Sequence, residues 1–261
     1  MQPRTTGPST KEPSVVLVTG ASRGIGAEVA QQLADPATHV LVNYREKAKR
    51  ASGIVDAIRH SGGQASLAGA DLSDEAAVKA MIDELTVRFG RLDTLILNAS
   101  GGLERGADPG YAMRINHDAQ LRLARMALPL MPVGGRIVFV TSHQAHFYPS
   151  KPVPEDYVPI AKSKRAGEDA LRDMRAEFDA RGIKLVVVSG DMIDGTIIIR
   201  LLGRRDPSAV AARRAHGALP TVGEFASTIV STALARDLLA DTVYVGGPDY
   251  LASRPDKVVA W

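Results

Sequence analysis

Thr19-Gly20-Ala21-Ser22-Arg23-Gly24-Ile25-Gly26 is the stretch of this 261-residue sequence best suited to hold a phosphate. It follows the apolar run Val15-Val16-Leu17-Val18 and leads into Ala27-Glu28-Val29-Ala30-Gln31-Gln32-Leu33, which has helical spacing. Strand, glycine turn and helix in that order present free backbone N–H groups and the positive end of a helix to an anion. Gly20 permits the tight turn, Gly24 lets the backbone approach a pyrophosphate, and Gly26 lets the helix pack closely on the strand. The spacing is G-x-x-x-G-x-G rather than the common dinucleotide G-x-G-x-x-G, and no Lys-Ser/Thr pair follows to make a nucleotide phosphate loop.

A second set of residues bears on which nucleotide binds. In nicotinamide-binding folds the end of the second strand reads the adenosine ribose: an acid there bonds the 2′-hydroxyl of NAD, and a base accommodates the 2′-phosphate of NADP. Here the strand ends Val40-Leu41-Val42-Asn43-Tyr44-Arg45, with no acid before Glu46. Arg45, which can reach a phosphate, therefore favours NADP(H) over NAD(H), with Asn43 and Tyr44 beside the nucleotide. Lys47, Lys49 and Arg50 read as a solvated helix surface.

The elements that must carry these groups alternate along the chain. Strands are expected at 14–19, 38–43, 64–69, 92–98, 135–141, 183–189 and 242–246, and helices near 25–34, 46–61, 74–89, 109–131, 159–181 and 221–236. Continuous runs such as Lys184-Leu185-Val186-Val187-Val188 belong to strands covered on both faces, so the fold class is α/β with one doubly wound, parallel, seven-stranded sheet. Residues 1–13, polar and holding three prolines, read as a disordered tail without signal-peptide character, and 14–261 as a single domain. With 32 basic residues mixed among 29 acidic ones, no nucleic-acid partner is expected. No apolar run reaches the ~20 residues of a membrane helix, so no membrane partner is expected and the location is read as cytoplasmic. The absence of cysteine excludes disulfides and thiolate metal sites, and the six histidines form no i,i+4 metal pair, so no metal is expected.

Thr19 to Gly26 resembles the T-G-x-x-x-G-x-G cofactor turn of the short-chain dehydrogenase/reductase superfamily, and three further stretches follow that family's order. Ala70-Asp71-Leu72 after the third strand matches its adenine-side acid. Asn98-Ala99-Ser100-Gly101 after the fourth resembles its N-A-G element, and Asn116 matches the asparagine that kinks the next helix and helps hold a water relay. The resemblance covers roughly 14 to 248 and implies a Rossmann-like fold, an NADP(H) cofactor and a dimer or tetramer of identical subunits. It implies cofactor contacts at Gly20, Ser22, Arg23, Gly24, Ile25, Gly26, Asp71, Leu72, Asn98, Ala99, Ser100, Gly101, Gly190 and Thr196.

The same resemblance implies hydride transfer between a nicotinamide and a small-molecule carbonyl or alcohol, with a tyrosine moving the proton, a lysine lowering its pKa and holding the ribose, and a serine polarising the carbonyl. Ser142, at the end of the fifth strand, fits the serine, and Lys164 in Ser163-Lys164-Arg165-Ala166 fits the lysine. The family spacing Y-x-x-x-K is absent, since Ile160 stands four positions before Lys164. Tyr157, seven positions before it, returns to the same helical face at about 10 Å of rise instead of about 6 Å. Pro159 pushes Val158 out of helical geometry, so Tyr157 is expected on an irregular segment ahead of the helix. His143, His146 and Tyr148 are rival proton donors, Lys162 is a rival lysine, and water is a further donor. The reading is a keto reductase with a displaced proton donor, acting on a ketone or 3-oxo substrate. The alternatives are a catalytically silent NADP(H)-binding sensor or scaffold, and epimerase or dehydratase chemistry. A lid is expected over about 191–217, with Arg200, Arg204, Arg205, Arg213 and Arg214 as a solvated face or a site for an anionic substrate group.

Overall fold

In the computed structural model, the described residues are 13–103, 108, 110–237 and 240–252. The expected N-terminal tail lies outside them apart from Pro13. Seven strands form one sheet in the order β3-β2-β1-β4-β5-β6-β7: β1 (Ser14–Val18), β2 (Thr38–Tyr44), β3 (Gln64–Gly69), β4 (Thr94–Leu97), β5 (Arg136–Ser142), β6 (Lys184–Gly190) and β7 (Thr242–Val245). Every pairing is parallel. Each strand falls on its expected stretch; the central β1, β4, β5 and β6 do so because β-branched and apolar runs suit a pleat buried on both faces.

Two apolar layers sandwich the sheet. Val16, Val18, Val40 and Val42 point to one face, against Val29, Val55, Phe225 and Ile229 of α1 (Gly24–Gln32), α2 (Ala48–His60) and α11 (Val222–Leu234). Leu17, Leu41, Leu95 and Ile137 point to the other, against Ile82, Leu123 and Leu171 of α3 (Glu75–Phe89), α5 (Ala119–Ala127) and α7 (Val158–Asp173). Alternation along each strand thus feeds two cores at once.

Two expected helices are subdivided. The 109–131 stretch comprises α4 (Tyr111–Met113), a π turn (Arg114–Asp118), α5 and a 3₁₀ turn (Leu128–Leu130). The π turn carries the expected kink at Asn116. The 159–181 stretch divides at Met174 into α7 and α8 (Arg175–Ala180). The chain also forms α6 (His143–His146), the lid helices α9 (Ile197–Arg205) and α10 (Pro207–Ala215), and α12 (Pro248–Ala252).

Helix ends follow local chemistry. Asp74 accepts from the N–H groups of Ala76 and Ala77 at 2.9 and 3.2 Å, and Gly90 closes α3 in the left-handed conformation. Thr221 and Glu224 form a reciprocal capping box on α11. Thr221→Ala is expected to lower stability by about 1 kcal/mol, read as a small fall in Tm by circular dichroism with no change in cofactor affinity.

Candidate active site

The strand order reverses direction between β1 and β4, and ligands of open α/β sheets settle at the carboxyl edge there. The glycine turn occupies this edge. Gly20 and Gly24 adopt φ of 63° and 57°, which a side chain would strain. A Cβ on Gly26 would lie 2.5 Å from Asn98 Nδ2 and 2.7 Å from the Gly20 carbonyl, so only glycine lets α1 approach so closely. The space beyond Gly24 is open, as a phosphate cradle requires. Arg23 is exposed beside it, Ser22 and Ile25 are half-buried, and Arg45 stands at the end of β2.

Several of the expected cofactor residues also shape the cradle from within. Asn43 is buried: its Oδ1 accepts from Gly20 N–H at 3.1 Å, and its Nδ2 donates to the Ala68 and Ala70 carbonyls at 3.0 and 3.3 Å. Tyr44 packs its phenol over Gly69 of β3. Asn98 donates through both nitrogens to Thr19, at 2.8 and 2.9 Å, and Ala99 N–H reaches the same Thr19 hydroxyl at 3.0 Å. Asp71 accepts from the N–H and hydroxyl of Ser73, and Leu72 is buried. Gly190 lies against the Phe225 ring, while Thr196 caps α9. Gln120 is a site residue that sequence reasoning missed. It donates to the Ala99 carbonyl at 3.0 Å and fixes the loop after β4 from below.

Asn116 is buried, with its side chain fully engaged. Its Oδ1 accepts from Ser100 Oγ at 2.9 Å and Gly101 N–H at 3.2 Å, and its Nδ2 donates to the Gly101 carbonyl at 2.9 Å and Ser163 Oγ at 3.0 Å. The side chain therefore locks the loop after β4 onto α7. Gly167 permits the close approach, since a Cβ there would lie 2.1 Å from the Asn116 carbonyl oxygen.

Ser142 and Tyr157 meet. The serine ends β5, the tyrosine lies on a 3₁₀ turn (Glu155–Tyr157) just ahead of α7, and their hydroxyl oxygens are 3.1 Å apart. Pro159 occupies the first turn of α7 and Tyr157 precedes that helix as expected. Val158, however, is itself helical and opens α7, and Tyr157 lies on a regular 3₁₀ turn continuous with it. This corrects the expectation of a non-helical Val158 and an irregular segment, because a proline in the first turn leaves the residue before it free to be helical there. Burial pushes the Tyr157 phenol above the ordinary range, opposed by the Ser142 hydrogen bond. Burial lowers Lys164 to about 8, with Glu168 pulling the other way. Ile160 is buried against the Gly102 loop.

The rival histidines are held in the scaffold. His143 is buried, with Nε2–H donating to the Gly246 carbonyl at 3.1 Å, an arrangement that leaves Nδ1 to accept from Ser189 Oγ at 2.8 Å. Burial lowers its pKa and keeps it neutral. His146 bridges Glu168 at 2.9 Å and the Tyr244 hydroxyl at 3.0 Å. Burial works to raise the Glu168 carboxyl, but His146 and Arg172 hold it below the usual range. Lys151 donates to the Tyr250 carbonyl, its ammonium 4.4 and 4.8 Å from the ring centres of Tyr250 and Phe147. The rebuilt loop between Ser142 and Tyr157 is thus tied to the C-terminal elements β7 and α12.

The lid reading needs one correction. Arg213 is no solvated face: it is buried on α10 between Asp191, which follows β6, and Asp249 of α12, 3.2 Å away. Arg214 pairs with Asp194 at 3.1 Å. Arg200 and Arg204 are exposed, and the side chain of Arg205 lies outside the described residues. Among the described residues, no cluster suits a metal ion and no helix is long and apolar enough to cross a membrane.

Comparison with known proteins agrees with this geometry. The family model for short chain dehydrogenase matches residues 14–203. The 1-cyclohexenylcarbonyl-CoA reductase of Streptomyces collinus is 35% identical over 189 residues, covering 69% of this chain and 65% of that enzyme. Hydroxynaphthalene reductase arp2 of Aspergillus fumigatus is 35% identical over 176 residues, covering 64% and 62%. The chain thus spans less than two thirds of the length of these curated relatives. The crystal structure of the angucycline C-6 ketoreductase LanV with bound NADP superposes with a TM-score of 0.76 at 26% identity, covering 90% of this chain and 95% of that one.

Proposed function

The chain belongs to the short-chain dehydrogenase family, and from that premise we propose that it is an NADPH-dependent carbonyl reductase whose proton donor is Tyr157. The observation that carries the reading is the 3.1 Å contact between the Ser142 and Tyr157 hydroxyls at the carboxyl edge of the sheet. Two hydroxyls so placed converge on one carbonyl oxygen, as polarising donor and proton donor. The names of the relatives support a reductase, and the NADP held by LanV supports the nucleotide choice.

The glycine turn and the amino end of α1 would hold the pyrophosphate, Arg45 and Arg23 the 2′-phosphate, and Lys164 the nicotinamide ribose. When bound, the reduced nicotinamide supplies a hydride to the carbonyl carbon. Ser142 donates a hydrogen bond to the carbonyl oxygen, and Tyr157 passes its proton to the oxygen as the alcohol forms. A phenol raised by burial stays protonated at neutral pH, which suits reduction over oxidation. Asn116 and Gln120 keep the wall after β4 in register with α7 and hence with Lys164. The substrate is a ketone or 3-oxo compound, and the protein assembles as a homodimer or homotetramer in the cytoplasm.

The proposal is tested by following loss of reduced-nicotinamide absorbance with a panel of aryl and alkyl ketones. NADPH-dependent turnover supports it. Tight NADPH binding with no turnover on any ketone replaces it with a nucleotide sensor.

Lys164 adds a pH signature. Its ammonium is lost as pH rises through about 8, so kcat/KM for NADPH is expected to decline above that pH. Lys164→Arg, whose guanidinium stays charged, removes this alkaline limb even if the absolute rate is lower. A profile flat to pH 10 in the wild type would remove Lys164 from the ribose site.

A further inference from the structure

Arg45 is tethered on two sides. Its Nη1 donates to the Tyr111 hydroxyl at 2.5 Å, and its Nε lies 3.0 Å from the Glu46 carboxylate. Arg45 directly follows β2, and Tyr111 opens α4 in the connection after β4. These two strands flank β1, so the Arg45–Tyr111 bridge arches over the carboxyl end of β1, where the Gly20–Gly26 turn lies. We propose that Tyr111 is a specificity-determining positioning residue, which presents the Arg45 guanidinium to the 2′-phosphate of NADPH. The inference rests on the NADPH reading above and adds the residue that makes the preference effective.

The physical argument concerns competition for one flexible cation. An arginine side chain has several rotatable bonds, and on an exposed strand end its guanidinium settles on the nearest anion. Glu46 is one such anion, 3.0 Å from Nε, and its carboxylate offsets part of the charge that Arg45 offers a 2′-phosphate. A phenol differs from a carboxylate in the one respect that matters: it accepts an N–H without cancelling the charge. The Tyr111 hydroxyl therefore fixes the direction of Arg45 Nη1 without placing a second negative charge beside it.

Tyr111 is itself fixed. Its ring packs against the buried layer that holds Leu95, Leu97 and Ile115. The Arg114 guanidinium lies 5.9 Å from the ring centre and is pinned by a 2.7 Å bond to Asp108. A strut anchored in the core thus holds a cation standing at the surface, so less side-chain freedom is lost when a phosphate arrives.

The test is fluorescence titration of NADPH and of NADH into wild type, Tyr111→Phe and Arg45→Met. Phenylalanine keeps the ring and removes only the acceptor. Tyr111→Phe is expected to weaken NADPH by about five- to tenfold, the scale of one ordinary net hydrogen bond, and to leave NADH within about twofold. Arg45→Met is expected to abolish most of the NADPH preference. Loss of preference in Arg45→Met without any change in Tyr111→Phe overturns the role of Tyr111 and leaves the NADPH reading standing. An equal loss of both cofactors in Tyr111→Phe also overturns it, by showing a merely structural residue. A preference unchanged in Arg45→Met removes the phosphate role of Arg45, and this inference with it.

Discussion

Tyr157→Phe is expected to lower kcat for ketone reduction by about 10²–10⁴-fold, the range for loss of a positioned general acid, while NADPH affinity stays within a factor of about two. Phenylalanine preserves the half-buried ring and removes only the oxygen that meets Ser142 at 3.1 Å. Neither histidine of the adjoining loop is placed to take over. His143 is engaged at Ser189 and Gly246, and His146 at Glu168 and Tyr244. Residual turnover would then draw its proton from water. Ser142→Ala, which removes a hydrogen-bond donor to the developing oxyanion, is expected to cost about 10²–10³-fold in kcat. Stopped-flow oxidation of NADPH by each variant reads both effects. Full activity in Tyr157→Phe would move proton donation to Tyr148 or to water.

Arg213→Met is expected to release the lid. The substitution leaves the carboxylates of Asp191 and Asp249 facing one another, with the Asp191 side chain only 4% exposed. Breaking a buried ion pair by removing one partner costs about 3–5 kcal/mol. Because α9 and α10 form a peripheral unit, that cost is met by local opening before global unfolding. Hydrogen exchange should show protection across 197–215 falling by about 10²–10³-fold, with the strands of the sheet unchanged. Asp249→Asn, which keeps Asp191 as partner, should lie between wild type and Arg213→Met. Unchanged lid protection in Arg213→Met would mean that apolar packing of Ile199, Val210 and Leu219 alone holds the lid.

The sheet was legible because its signal is local. Runs such as Val15-Val16-Leu17-Val18 and Lys184-Leu185-Val186-Val187-Val188 suit only a strand buried on both faces, and the glycine turn announces its own backbone geometry. The place of Tyr157 just ahead of α7 was also readable, since Pro159 marks the first turn of that helix. What escaped was every role that depends on a distant partner. His143 looks like a loop histidine until Gly246, 103 positions away, accepts its proton. Arg213 sits in an arginine-rich lid whose local pattern reads as solvated, and only the fold brings Asp191 and Asp249 around it. Asn43 was placed beside the nucleotide because strand-end position is a local cue, and that cue says nothing of its partners within the protein. Its inward hydrogen bonds to Gly20, Ala68 and Ala70 are set by the pairing of β2 with β3 and by the turn after β1. Gln120 carried no cue at all, because a glutamine within an amphipathic helix is ordinary until a loop carbonyl sits above it.

The central claim is that this chain moves a hydride from NADPH to a carbonyl carbon. Its most direct test is to incubate the wild-type protein with NADPH deuterated at the transferring carbon, together with a ketone that is turned over, and to analyse the alcohol by mass spectrometry. One deuterium at the carbinol carbon, introduced with a single stereochemistry, is the predicted result. An alcohol without the label, or no alcohol from any ketone despite saturating NADPH, would contradict the reductase and leave a protein that only binds the nucleotide.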